Sequence, residues 1–307
     1  MTCDPAPRKR VIHAQHVAIH VIRSLQKTIL AGALLVLLAS AQTAGAAPAE
    51  GIDGLIDKAL KGAGLTRQLE TLGQAMLLAL PEDALPDRKT RSEATSLMNR
   101  SAGKEDLLAM VRSSVKEDLD AATLDNVVQF YESRVGKKAG NGIADGLDPA
   151  SIRKVREGRK FAVSLGEERI ETLRRIIAAQ GIVEANAALL KKTIRGLVDG
   201  SAAEAADSSR AEGQKERVKA IETAIRADKQ RTQETALISY AHALRALDDE
   251  ELLALAVFQE SEPAQRFRRA VQRGLERAVY TTARALGDLI ARHPTTAPNR
   301  AGGAPAK

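Results

Sequence analysis

Two short stretches carry the same phrase, Phe-x-Glu-Ser, at Phe130 to Ser133 and at Phe258 to Ser261. A carboxylate beside a hydroxyl can serve acid–base or nucleophilic chemistry. A pseudo-twofold arrangement would bring Glu132 and Ser133 up to Glu260 and Ser261. Two carboxylates within about 10 Å of one another are the minimum for a hydrolase of the two-carboxylate kind. No histidine lies near either pair in sequence to activate a hydroxyl. The same residues have a structural reading, which is preferred here. A Ser between two helices caps the second one, and a Phe there packs the corner. Phe130, Glu132, Ser133, Phe258, Glu260 and Ser261 are therefore read as a repeated helix–corner–helix joint, and no catalytic residue is assigned.

The two phrases align at an offset of 128, and Leu119 to Ser133 shares six of fifteen residues with Leu247 to Ser261. Leu119, Asp120 and Leu124 meet Leu247, Asp248 and Leu252, and Lys138 meets Arg266. Asp120 and Asp248 suit helix N-caps. Asp248 and Glu251 approximate a capping box. Pro263 suits the first turn of the helix after the second corner.

Other chemistry is thin. Of five histidines, only His242 and His293 lie beyond the first 46 residues. His242 reads as a satisfied surface or core histidine, and His293 as a cation at a helix end. No G-x-x-x-x-G-K-[ST], H-E-x-x-H or G-x-S-x-G occurs. No metal, cofactor or phosphate-loop site is expected. Cys3 is the only cysteine. It precedes the leader's apolar run, so cysteine chemistry is excluded for a processed chain.

RKVREGRK, Arg153 to Lys160, is the most basic run. It reads first as a solvated helix face. The alternative is that Arg153, Lys154, Arg156, Arg159 and Lys160 touch anionic headgroups, wall polymer or an acidic partner. RFRRAVQRGLER, from Arg266, is a second basic amphipathic stretch. Beyond residue 46 the chain holds 41 basic and 38 acidic residues. That balance, with 2% aromatics and no Trp, argues against nucleic-acid binding.

The elements that position these residues are helices. Apolar residues are 44% of the chain and few are aromatic, so a core must be built from Leu, Ala, Val and Ile. Mixed with Glu, Lys, Arg and Gln, they favour helix, and no sustained strand pattern occurs. Helical spacing runs through Gly51–Leu80, with Gly62 and Gly64 as possible breaks. It recurs in Lys104–Leu119, Thr123–Glu132, Pro149–Leu165, Glu167–Val198 as one helix or two, Val218–Leu247, Asp248–Gln259 and Pro263–His293. Gly136–Gly146 carries four glycines and reads as a loop or a weak helix. Gly200–Gln214 reads as a polar linker.

Residues 1–46 combine Arg23 and Lys27, an apolar run of about 11 residues, and Ala44-Gly45-Ala46. These are the parts of a secretory signal peptide. The run is short of the roughly 20 residues that span a bilayer. A retained anchor is the alternative. The expected organisation is a signal peptide at 1–46, a first helical unit at 51–165, a second at 166–292 and a disordered tail at 293–307.

Phe130 to Lys138 reads Phe-Tyr-x-Ser-x-x-Gly-Lys-Lys. This pattern resembles the bacterial family called domain of unknown function 2059. The resemblance covers Lys104 to Gly146, departing at Arg134 where the family tends to have Pro. In the second copy Gln259 replaces Tyr and Ala264 replaces Gly. It implies an all-helical fold and a periplasmic or secreted location, and it carries no activity with it. The chain is thus expected to be an all-α bundle of two duplicated units. Its expected role is a non-enzymatic binding or scaffold protein of the envelope, with an envelope protein or lipid as partner. A carrier or sensor of an apolar or lipid ligand held between the two units is the alternative.

Overall fold

The computed structural model describes residues 51–66, 69, 88–101, 103–146, 159–202 and 229–292. Among them are ten helices and no strand. In chain order they are α1 Ile52–Gly62, α2 Arg88–Ser101, α3 Lys104–Asp118, α4 Ala121–Glu132, α5 Arg134–Gly146, α6 Glu167–Ala179, α7 Ile182–Ala202, α8 Lys229–Ala243, α9 Asp249–Glu260 and α10 Glu262–Arg292. The fold is all-α, as composition and spacing predict.

Glycine sets two of the helix ends. α1 stops where Gly64 turns to φ +68, a left-handed conformation that costs other residues more. Gly181 at φ +55 divides α6 from α7, so Glu167–Val198 is two helices. The Gly-rich stretch Gly136–Gly146 is helix, not loop. Its glycines permit close contact: a Cβ on Gly142 would lie 2.1 Å from the Ala243 carbonyl oxygen of α8. Packing against neighbours offsets the intrinsic cost of glycine in a helix.

Two elements depart from expectation. Apolar spacing gives no helix over α2, whose only apolar residues are Ala94, Leu97 and Met98; it packs against α10. The expected linker begins too early, since Gly200–Ala202 is the last part of α7. Here α7 crosses α10 backbone to backbone. A Cβ on Gly200 would meet the Arg284 oxygen at 2.0 Å, and one on Gly287 the Leu197 oxygen at 2.3 Å.

One core joins the two expected units. It includes Ile56, Leu107, Val111, Leu124, Val127 and Ile143 from the first, and Leu173, Ile176, Tyr240, Leu252, Leu255 and Phe267 from the second. The helix contacts come in matched pairs. α1 packs on α3 and α4, and α6 packs on α8 and α9. α3 and α4 both pack on α10, while α8 and α9 both pack on α5. Each unit therefore lays its post-corner helix across the other unit. The expected leader, the expected tail and most of the expected linker lie outside the described residues. Among the described residues, no helix is long and apolar enough to cross a membrane.

Candidate functional site

The repeated phrase occupies one junction of the fold. α4 and α9 each have twelve residues, and both their ends are 128 positions apart. Both begin on an Asp cap. Asp120 Oδ1 accepts from the Thr123 N–H at 2.7 Å, and Asp248 Oδ1 accepts from the Glu251 N–H at 2.8 Å. In the second copy Glu251 Oε2 also accepts from the Asp248 N–H at 3.2 Å, completing the capping box.

Both helices end on a serine in extended backbone, at φ −65, ψ 164 for Ser133 and φ −67, ψ 151 for Ser261. Each hydroxyl caps the next helix. Ser133 Oγ accepts from the Gly136 N–H at 3.1 Å, and Ser261 Oγ from the Ala264 N–H at 3.5 Å. The partner in each case is a backbone N–H, not a base, which is the structural role that the sequence favours.

Phe130 and Phe258 do more than pack their own corners. They stack on one another, with ring centroids 3.6 Å apart and planes within 3°. Tyr131 meets both rings edge-on, at 5.5 and 5.4 Å. Burial pushes the Tyr131 hydroxyl well above its ordinary value, and the Gln259 side chain partly opposes this. Gln259 is the residue 128 positions after Tyr131.

The basic residue after each corner reaches into the opposite unit. Lys138 donates to both oxygens of Glu251, at 2.6 and 2.7 Å. Arg266, its counterpart, donates to Thr123 Oγ1 at 3.0 Å and to Asp120 Oδ2 at 3.3 Å. Thr123 and Glu251 are themselves 128 apart and hold the same place in the first turn of their helices. Such reciprocity, i to j and j to i, characterises an isologous contact.

The two glutamates of the phrase differ. Glu260 receives both Arg175 Nε at 3.0 Å and Arg175 Nη2 at 2.8 Å. The Arg175 hydrogen bonds hold its carboxyl below the usual range. A general acid requires a raised pKa, so this pairing works against that role. Glu132 is exposed. Asp120 and Glu251 are also held low, by the Thr123 backbone N–H and by Lys138 respectively.

His242 is buried, and its Nε2 lies 3.0 Å from Arg245 Nη1. Among the described residues, no group of three or more His, Cys, Asp or Glu side chains could hold a metal ion. Of the basic run, Arg159 and Lys160 are exposed; Arg153, Lys154 and Arg156 lie outside the described residues. Sequence reasoning missed Arg175, the anchor of Glu260. It also missed Arg169, whose Nη2 donates to the Leu247 carbonyl at 2.7 Å just after α8. Nothing in local spacing marks either residue, because each partner lies more than 70 positions away.

No family model, curated protein or solved structure matches the chain.

Proposed function

We propose that this chain is a non-enzymatic binding or scaffold protein of the cell envelope, built by duplication of one helical unit. One observation carries the reading: the repeated residues are engaged in holding the two units together. Phe130 stacks on Phe258, Lys138 and Arg266 bond reciprocally across the junction, and both serines cap helices. A duplicated pair related by a twofold would use equivalent residues at its own interface in this way. The envelope location rests on the signal-peptide pattern of residues 1–46 and on the Phe-Tyr-x-Ser-x-x-Gly-Lys-Lys resemblance to domain of unknown function 2059.

Native mass spectrometry of the protein from its envelope fraction, with and without mild cross-linking, tests the proposal. A defined protein complex, and a chain shortened near residue 46, are the expected results. A bare monomer in both preparations would count decisively against a scaffold. Glu132→Gln and Glu260→Gln should leave partner recovery intact.

A further inference from the structure

A pocket lies where the turn after α1 meets the α6–α7 break and α10. Leu65, Ile182, Leu189, Val271 and Leu275 give it apolar walls, and Gln180, Asn186, Arg268 and Gln272 give it polar ones. Gln180 and Asn186 are 2% and 8% exposed. Gln180 Oε1 already accepts a hydrogen bond from the buried Tyr240 hydroxyl. Its Nε2 is left with no protein partner, and so are Asn186 Nδ2 and Arg268 Nε. Three N–H donors without a protein partner therefore belong to residues that line one small space. Buried donors in native proteins are nearly always satisfied, so something that accepts belongs there.

Charge and size narrow what it is. Burial, and after it the like charge of Arg269, lower the Arg268 pKa. Glu184, the carboxylate that acts on it from a distance, is itself paired with Lys229 at 3.4 Å. A water accepts two hydrogen bonds and brings no charge. A carboxylate offers two oxygens, about four acceptor sites and a negative charge that matches a guanidinium edge. The space is about 30 Å³, against roughly 10–15 Å³ for one water, so it holds two oxygen-sized groups. Gly181 completes the cradle. A Cβ there would lie 2.3 Å from Arg268 Nη1, so the bare glycine leaves room for the guanidinium beside it.

We propose that this pocket binds a carboxylate, with Arg268, Gln180 and Asn186 as its donors and the apolar walls beside its alkyl part. The carboxylate is either a small free acid or the head of an acyl chain that leaves through the open side. The full-length protein is melted in acetate, in chloride and in isethionate at equal ionic strength. The midpoint should rise with acetate, saturate, and stay flat in the other two. Arg268→Gln should weaken the acetate response at least tenfold, whereas Arg269→Gln, on the exposed neighbour, should preserve it. Asn186→Asp places a carboxylate in the pocket permanently and should raise the midpoint while abolishing the acetate response. It serves as the readout if Arg268→Gln fails to fold. Dodecanoate acting at a tenth of the acetate concentration or less identifies an acyl chain as the source, and equal potency identifies a small acid. Equal responses to acetate and isethionate, a response to chloride alone, or an acetate response undiminished in Arg268→Gln would overturn the proposal.

Discussion

The two units meet their neighbours with the same geometry and different chemistry. In the first, α1 is tied to α3 by surface ion pairs, Arg112 to Asp57 at 2.6 Å and Lys116 to Asp53 at 2.9 Å. In the second, α8 is tied to Gln180, the residue just after α6, by the buried Tyr240–Gln180 hydrogen bond. Tyr240 stands 128 positions after Arg112. The corner helices differ too. α4 shows Asp125 and Gln129 to solvent, bonded to each other at 2.6 Å, and α9 shows Leu253 and Val257 at the matching positions. The caps, the serines and the Phe rings are alike in both. Backbone hydrogen bonds and close packing tolerate few residue types. Surface positions tolerate many, so the joints can be alike where the outer faces differ.

The largest effects should come from the shared core. Leu124→Ala and Leu252→Ala each empty a fully buried matched position and should cost about 2–5 kcal/mol. If the single core makes one cooperative unit, both should shift one urea transition by similar amounts. Two separated transitions, each moved by only one variant, would break the comparison and make the units independent. The ring stack comes next. Phe130→Ala and Phe258→Ala should be non-additive, with a coupling of about 0.5–1.5 kcal/mol in a double-mutant cycle. A coupling near zero would mean that the rings are neighbours without being partners.

Caps and charges should matter less. Asp120→Ala should lower the denaturation midpoint more than Asp248→Ala, because Asp120 also accepts from Arg266, whereas Glu251 still accepts from the Asp248 backbone N–H after the substitution. Acid tests the same carboxylates. Asp120, Glu251 and Glu260 are held below their ordinary values in the folded chain. Their contribution is therefore full above the unfolded value of about 4 and is lost as pH falls through the lower folded value. Stability should be level above about pH 5 and decline on acidification. Glu251→Gln should make that decline shallower; an unchanged acid limb would remove Glu251 from the account. Smallest of all, Leu253→Asp with Val257→Gln gives the second unit the first unit's surface and should change stability by no more than about 0.5 kcal/mol. A larger loss would show that this exposed pair supports the fold.

Local signals were legible wherever a residue acts on its own helix. Asp120, Asp248 and Glu251 announce their caps through type and spacing, and the observed helix starts at Ala121 and Asp249 follow. Ser133 and Ser261 were readable for the same reason. Gly136–Gly146 stayed ambiguous, because the contacts that sustain a glycine-rich helix come from α8 and from the preceding corner. α2 is hard to read because its apolar patch, Ala94, Leu97 and Met98, is a single turn long. The reciprocal pair Lys138–Glu251 spans 113 positions, a distance at which one sequence gives no register. The same limit hid the pocket at Gln180, Asn186 and Arg268, which three separate elements assemble.

By itself the sequence determined the helical class, the caps and corners, the repeated phrase and which residues could pack. Those follow from backbone hydrogen bonding and apolar periodicity, which act within a few turns of chain. Tertiary structure alone decided that the two Phe rings face each other, that Glu260 is an anchor for Arg175, and that three buried donors share one pocket. Long-range pairing depends on how whole helices cross, and crossing is set by side-chain ridges and glycine gaps summed over both surfaces.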